Sequence, residues 1–184
     1  MKQFQSSSEL AHWLTARGID LTQWGRDGAK TLENLWDEYA SGEVAFHDDP
    51  PLRIVEVVQV LIRRGKHVLL EKEQEFGNAQ RRSRNLPPSE KLKRGEHYIE
   101  AAVRCLNEEL GLARDEIAFI GSAYEKVTRV RESPSYPGLR TQYTFHSIEA
   151  VAKGLPNRDF WRENAPFSGG DPVKRHLWAW RPRN

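Results

Sequence analysis

The sequence predicts an α/β (α+β) protein, with a layered domain over residues 51–184 behind a helical extension over residues 1–50. Three observations carry this reading. Ile54, Val55, Val57, Val58, Val60, Leu61 and Ile62 form an apolar, largely β-branched run too dense for a strand wetted on one face, which points to a buried strand. Residues 97–110 alternate apolar and charged side chains at helical spacing and stop at Gly111. The first fifty residues carry two short amphipathic helical patterns. A length of 184 residues suits one domain with an extension, against a norm of roughly 100–200 residues per domain.

The elements follow in order. Residues 6–17 open with Ser6 and Glu9 in capping-box spacing, place Leu10, Trp13 and Leu14 on one face, and close on Gly18. A second helix over residues 30–40 aligns Leu32, Leu35, Trp36 and Tyr39 and ends at Gly42. Residues 47–51, with two aspartates before two prolines, read as a linker. The buried strand from residue 53 turns at residues 63–66 and returns over residues 67–72 as a hairpin. Residues 73–94 lack periodicity, carry Arg81, Arg82 and Arg84, and read as a long cationic loop. After the helix come strands near residues 117–131 and 139–151, a polar segment over 154–172 with a turn at residues 169–172, and a last strand near 174–181. Mixed strands and helices imply layers without fixing the topology.

Composition excludes several functional classes. Lys and Arg number 28 against 26 Asp and Glu, so the net charge of +2 makes no general nucleic-acid or membrane magnet. One Cys leaves no disulfide within the chain and no cysteine zinc cluster. No apolar run approaches the roughly 18 residues of a membrane span, and residues 1–6 lead into no apolar signal region, so the expected location is cytoplasmic. Six tryptophans lie at the chain ends, with none between residues 37 and 160. This uneven distribution predicts that the N-terminal helices pack over the last strand, with Trp178 or Trp180 meeting Trp13 or Trp36, or that the same surface makes a homodimer.

The chemistry concentrates in residues 96–112. On a wheel of about 100° per residue, Ile99, Val103, Leu106 and Leu110 share one stripe, while Glu100, Arg104, Cys105, Glu108 and Glu109 spread over the other side. Glu96, Glu100, Arg104 and Glu108 form an i,i+4 ladder, and Glu108 and Glu109 pair at the helix C-terminus, where the dipole disfavours negative charge. Stacked carboxylates there call for a hard cation, Mg²⁺ or Mn²⁺, which commonly bridges to substrate phosphates.

The spacing resembles a Nudix box: Gly, five residues, Glu, seven residues, then Arg-Glu-U-x-Glu-Glu-x-Gly-U, with U aliphatic. Glu96, Arg104, Leu106, Glu108, Glu109, Gly111 and Leu112 fall in register. The resemblance spans about residues 53–181 and implies an αβα sandwich with a mixed sheet. It also implies hydrolysis of a nucleoside diphosphate linked to another moiety, with Glu108 and Glu109 as metal ligands and Arg104 orienting carboxylates. Two positions depart from the box. Glu90 stands where the first Gly belongs, and Cys105 replaces a Glu that in the family usually ligates metal, although a thiol holds Mg²⁺ poorly. The wheel puts Cys105 on the acidic side, at the expected metal site, and leaves Glu96 or Glu100 to supply the missing carboxylate.

Substrate contacts are expected from Arg81, Arg82 and Arg84, which suit a diphosphate, and from Tyr136, in the Pro-rich loop over residues 133–138, which could stack on a base. Glu125, Glu132 and Glu163 stand as candidates for a further base, and His146 reads as structural. The enzymatic reading has one alternative, a nucleotide-binding or regulatory protein of the same fold with turnover weakened by Cys105. Nucleic-acid binding is disfavoured, because no aromatic residues interleave with the arginines.

Overall fold

The computed structural model describes residues 1–26, 28–164 and 173–183. The turn expected at residues 169–172 lies outside them, apart from the strand that begins just after it. The described elements are helices α1 (Ser7–Thr15), α2 (Leu32–Ala40) and α3 (Tyr98–Leu110), and strands β1 (Ala45–His47), β2 (Leu52–Arg64), β3 (His67–Phe76), β4 (Arg81–Leu86), β5 (Ser89–Lys91), β6 (Ile117–Glu132), β7 (Arg140–Ala152), β8 (Phe160–Glu163) and β9 (Val173–Pro182). The fold class is α+β, as the sequence predicts. Among the described residues the strands form a mixed sheet in the order β6-β7-β2-β3-β9-β8, with β1 and β5 also pairing with β2, and β4 with β3.

Local signals set most boundaries. Ser6 caps α1 by accepting from the Glu9 amide, and Thr31 with Asn34 closes a capping box on α2. Residues 73–94 are not a loop. The second strand of the hairpin runs on to Phe76, and β4 pairs back on it with Glu73 opposite Ser83, Gln74 opposite Arg82 and Glu75 opposite Arg81. The cationic stretch becomes a strand because each arginine meets an acidic or amide neighbour across the ladder, a favourable cross-strand arrangement invisible to a local reading.

The chain divides into two compact units. The first comprises Met1–Val57, Lys91–Glu96 and Lys126–Phe145, and the second Val58–Glu90, His97–Glu125 and His146–Asn184. In the first, α1 and α2 bury Leu10, Trp13, Leu14, Leu35 and Tyr39 with Phe4, Phe46, Val55, Tyr136 and Leu139. Phe4 meets Trp13, Tyr39 and Phe46 edge to face at 5.4 Å each, a preferred aromatic geometry. Trp24 packs on Tyr136 at 5.0 Å and donates from Nε1 to the Pro137 carbonyl at 3.0 Å.

The N-terminal tryptophans thus find ring partners within their own unit. Trp178 lies buried in the second unit, with its ring 6.3 Å from that of His176. Trp180 carries the Arg64 guanidinium over its ring at 4.0 Å and donates to the Pro156 carbonyl. A buried carboxylate fixes the polar part of the first unit. Glu38 bonds Arg53 at 2.6 Å and lies 2.8 Å from both Lys30 and Lys91. Burial works against its charge, but Lys91, Arg53 and Lys30 together hold its carboxyl at about 2.

Candidate functional site

The site residues of the second unit are positioned by α3 and the strands of that unit. Helix α3 starts at the His97 cap, where the Glu100 carboxylate accepts from the His97 amide at 3.3 Å, and ends at Gly111. Gly111 has φ 64°, and a Cβ there would collide with the Arg162 guanidinium, so both backbone and space require glycine. Ala101, Ala102, Cys105, Leu106 and Leu110 are buried. The helix is therefore covered over more of its circumference than a one-sided wheel assumes, and Glu108 is left exposed with Glu109 half-buried.

The structure corrects the reading of Cys105. Its side chain is fully enclosed, and burial pushes the thiol up, with Glu109 and Glu90 adding to the effect. The enclosed thiol packs as core, and its soft sulfur suits Mg²⁺ poorly in any case. It nevertheless feels the acids around it, so it lies beside the acidic cluster while packing as core.

Around Glu109 the structure gathers carboxylates from three elements. Glu108 follows from the same helix, Glu90 comes from β5, and Glu71 comes from β3. Burial pushes the Glu109 carboxyl well above the usual carboxylate range, Glu71 and Glu90 push it further, and Arg84 opposes them. Glu71 is itself buried, bonded to His176 Nδ1 at 2.5 Å and to Arg84 Nε at 3.1 Å. Burial would raise its carboxyl, yet the His176 bond and Arg84 hold it below the ordinary value. A register shift between Glu71 and Glu73, seen in both neighbouring pairings, bulges β3 there, and such bulges re-aim side chains near sites. Arg104 has a guanidinium nitrogen 3.8 Å from a carboxylate oxygen of each of Glu90 and Glu108, close enough to offset their charge.

Other expected site residues lie elsewhere. Glu100 closes the first turn of α3, about 12 Å of helix rise before Glu108, so it does not supply the missing carboxylate. Glu96 belongs to the first unit, where its carboxylate accepts from the Lys93 amide at 2.8 Å. Tyr136 is fully buried in the first unit's core, with its ring against Trp24, and presents no face for stacking on a base.

Arg81, Arg82 and Arg84 stand together on β4, but each is engaged with β3. Arg81 lies 3.3 Å from Glu73 and 3.0 Å from Glu75, Arg82 bonds Gln74 at 2.5 Å, and Arg84 bonds Glu71. Arg175 grips Glu75 with two bonds, and its guanidinium and that of Arg81 lie over Trp161 at 4.5 and 5.3 Å. His146 is buried, with Nδ1 3.0 Å from the Tyr124 hydroxyl, as a structural histidine would be. Glu132 accepts from the Gly138 amide, while Glu125 and Glu163 are exposed.

A local reading of the sequence misses Glu71 and His176. The available signals are an acid directly after Val68, Leu69 and Leu70, and a histidine inside the last apolar strand. Among the described residues no three His, Cys, Asp or Glu side chains converge into a ready-made ion cage. The donors that are present still fit Mg²⁺ or Mn²⁺. They are hard carboxylate oxygens, and Mg²⁺ typically takes one or two of these plus waters and substrate phosphates.

A family model described as the NUDIX domain matches residues 52–168. No curated protein matches the chain in sequence. Among solved structures, a Caenorhabditis elegans Ap4A hydrolase binary complex is 18% identical over 70% of this chain and 80% of that one, with a TM-score of 0.41. A NUDIX hydrolase from Nitrosomonas europaea is 17% identical over 68% and 71%, with a TM-score of 0.39. The Escherichia coli ORF135 protein is 17% identical over 70% and 74%, with a TM-score of 0.36.

Proposed function

Because the chain belongs to the Nudix family, we propose that its acidic site hydrolyses a nucleoside diphosphate linked to another moiety with Mg²⁺ or Mn²⁺. That it is a hydrolase of the Nudix type follows from the family. The substrate class, the ion and the residue roles are the proposal. The observation that carries it is Glu109, half-buried at the end of α3, with a carboxyl raised by burial first and then by the charge of Glu71 and Glu90. A divalent cation would offset the charge at Glu109, and when bound it would neutralise the diphosphate and lower the pKa of the attacking water.

The chain's own residues take distinct parts. Glu109 and Glu108 hold the ion. Arg104 keeps Glu90 and Glu108 apart in orientation by lying between them at 3.8 Å from each. Arg84, bonded to Glu71 and acting on Glu109, is the β4 arginine best placed to meet a phosphate, while Arg81 and Arg82 brace the strand pair.

The test is a panel of ADP-ribose, dinucleoside polyphosphates, nucleotide sugars and nucleoside triphosphates, each with Mg²⁺ and with Mn²⁺. One class is expected to release nucleoside monophosphate, and Glu109→Gln is expected to lower that turnover by about 100-fold or more. Unchanged turnover in Glu109→Gln overturns the site assignment. Thermal stabilisation by one ligand with no product replaces the enzymatic reading with that of a nucleotide-binding protein, for which the enclosed Cys105 in place of the box Glu is the motive.

A further inference from the structure

We propose that His176 is the proton acceptor for the attacking water and that Glu71 positions it for that task. The inference rests on the hydrolytic reading above. Glu71 on β3 and His176 on β9 are 105 residues apart in the chain, yet the imidazole Nδ1–H donates to the Glu71 carboxylate at 2.5 Å. The second oxygen of that carboxylate accepts from Arg84 Nε at 3.1 Å, so the acid is fixed from β4 as well as from β9. With Nδ1 committed to Glu71, the basic lone pair of the neutral ring lies at Nε2. Among the described residues Nε2 makes no hydrogen bond, and the side chain keeps 14% of its surface open. An acid that orients an imidazole, whose second nitrogen then takes a proton, is an arrangement that activates nucleophiles on unrelated folds.

The sheet aims this pair at the end of α3. Trp178 stands opposite Glu71, so His176, two residues earlier in β9, lies on the same face as Glu71. The register shift between Glu71 and Glu73 then sets Gln74 opposite His176, which puts a neutral amide across from the ring and leaves Glu71 as its acid. From the other neighbouring strand, Arg162 of β8 stands opposite His176, and its guanidinium lies against Gly111, two residues after Glu109. The ring therefore sits between Glu71 and an arginine that reaches the end of the helix bearing Glu108 and Glu109. In the reaction the water oxygen bonds to phosphorus as its proton passes to Nε2. The phosphorus–oxygen bond to the leaving group breaks, and that group departs with the electron pair. The imidazolium, stabilised by Glu71, then gives its proton to solvent.

The experiment separates this role from a mere tie between β3 and β9. His176→Asn keeps an N–H donor near the place of Nδ1 and removes the acceptor at Nε2. In the full-length protein, with whichever panel substrate is turned over, it is expected to melt as the parent does while kcat falls about 100-fold or more and KM changes little. Imidazole added to His176→Gly is expected to restore part of the lost rate. Without metal or substrate, long-range ¹H–¹⁵N spectra of the parent are expected to show the neutral His176 ring protonated at Nδ1, and Glu71→Ala to mix the two tautomers. If the parent turns substrate over and His176→Asn does so at the same rate, or if the neutral ring carries its proton at Nε2, the role of His176 is overturned and the hydrolytic reading stands. If the parent hydrolyses no member of the panel, both fall together.

Discussion

In the first unit the Glu38 carboxylate meets Arg53, Lys30 and Lys91 at 2.6 to 2.8 Å and is held at about 2. In the second unit Glu109 is half-buried among three further acids, and its carboxyl is raised. The same residue type is thus set in two opposite fields. Around Glu38 the protein supplies compensating charge from its own side chains, so the acid acts as an internal brace. Around Glu109 burial and the charge of Glu71 and Glu90 raise the carboxyl, with Arg84 opposing them, and on the proposed reading a cation would supply the remaining compensation. A charge satisfied in place indicates architecture, whereas one left wanting indicates a site.

The largest effect that can break this contrast is at the brace. Glu38→Ala leaves Arg53, 3% exposed, without its acid, and is expected to cost about 3–5 kcal/mol in urea unfolding followed by tryptophan fluorescence. A loss below about 1 kcal/mol would show that the network is ornamental.

The acid limb comes next. The folded value of Glu38, about 2, lies below its ordinary 4.5, so its contribution is fully present above about pH 4.5 and is lost as pH falls towards 2. This amounts to about 3 kcal/mol in the parent protein, and Glu38→Ala should lack that part of the acid dependence.

Glu109→Gln should move stability the other way. Removing one charge from a group of repelling acids is expected to raise the metal-free stability by roughly 1 kcal/mol, or about 2–4 °C in Tm, even as activity is lost. A destabilised Glu109→Gln would place Glu109 with Glu38 as a brace and erase the distinction.

The smallest expected effect is at Tyr136. Because its ring belongs to the first unit's core, Tyr136→Phe should leave KM unchanged for any accepted substrate. A raised KM with intact folding would return this residue to the substrate.

What could be read from the sequence followed how local each cause is. The cap at Ser6 and the glycine stop at Gly111 depend on neighbours within one helical turn, and each appears where the sequence places it, as do Leu106 and Leu110 on the buried side of α3. The β4 arginines were misread because their partners lie across a hairpin. Cys105 was misread because the wheel assumes one buried face, whereas α3 is covered on more than one. Glu71 and His176 could not be joined from sequence, since they are 105 residues apart and meet only through the pairing of β3 with β9.

By itself, then, the sequence determined the class of the fold and the box with its two departures, and it offered Glu108 and Glu109 as candidate acids. Those features are written in composition, periodicity and spacing along one helix. Only the tertiary structure decided that Cys105 is core, that Tyr136 is core, that Glu100 is a cap, and that Glu71 and Glu90 join the acidic group. Burial and charge are properties of what surrounds a side chain, and the surroundings come from strands that are distant in the chain.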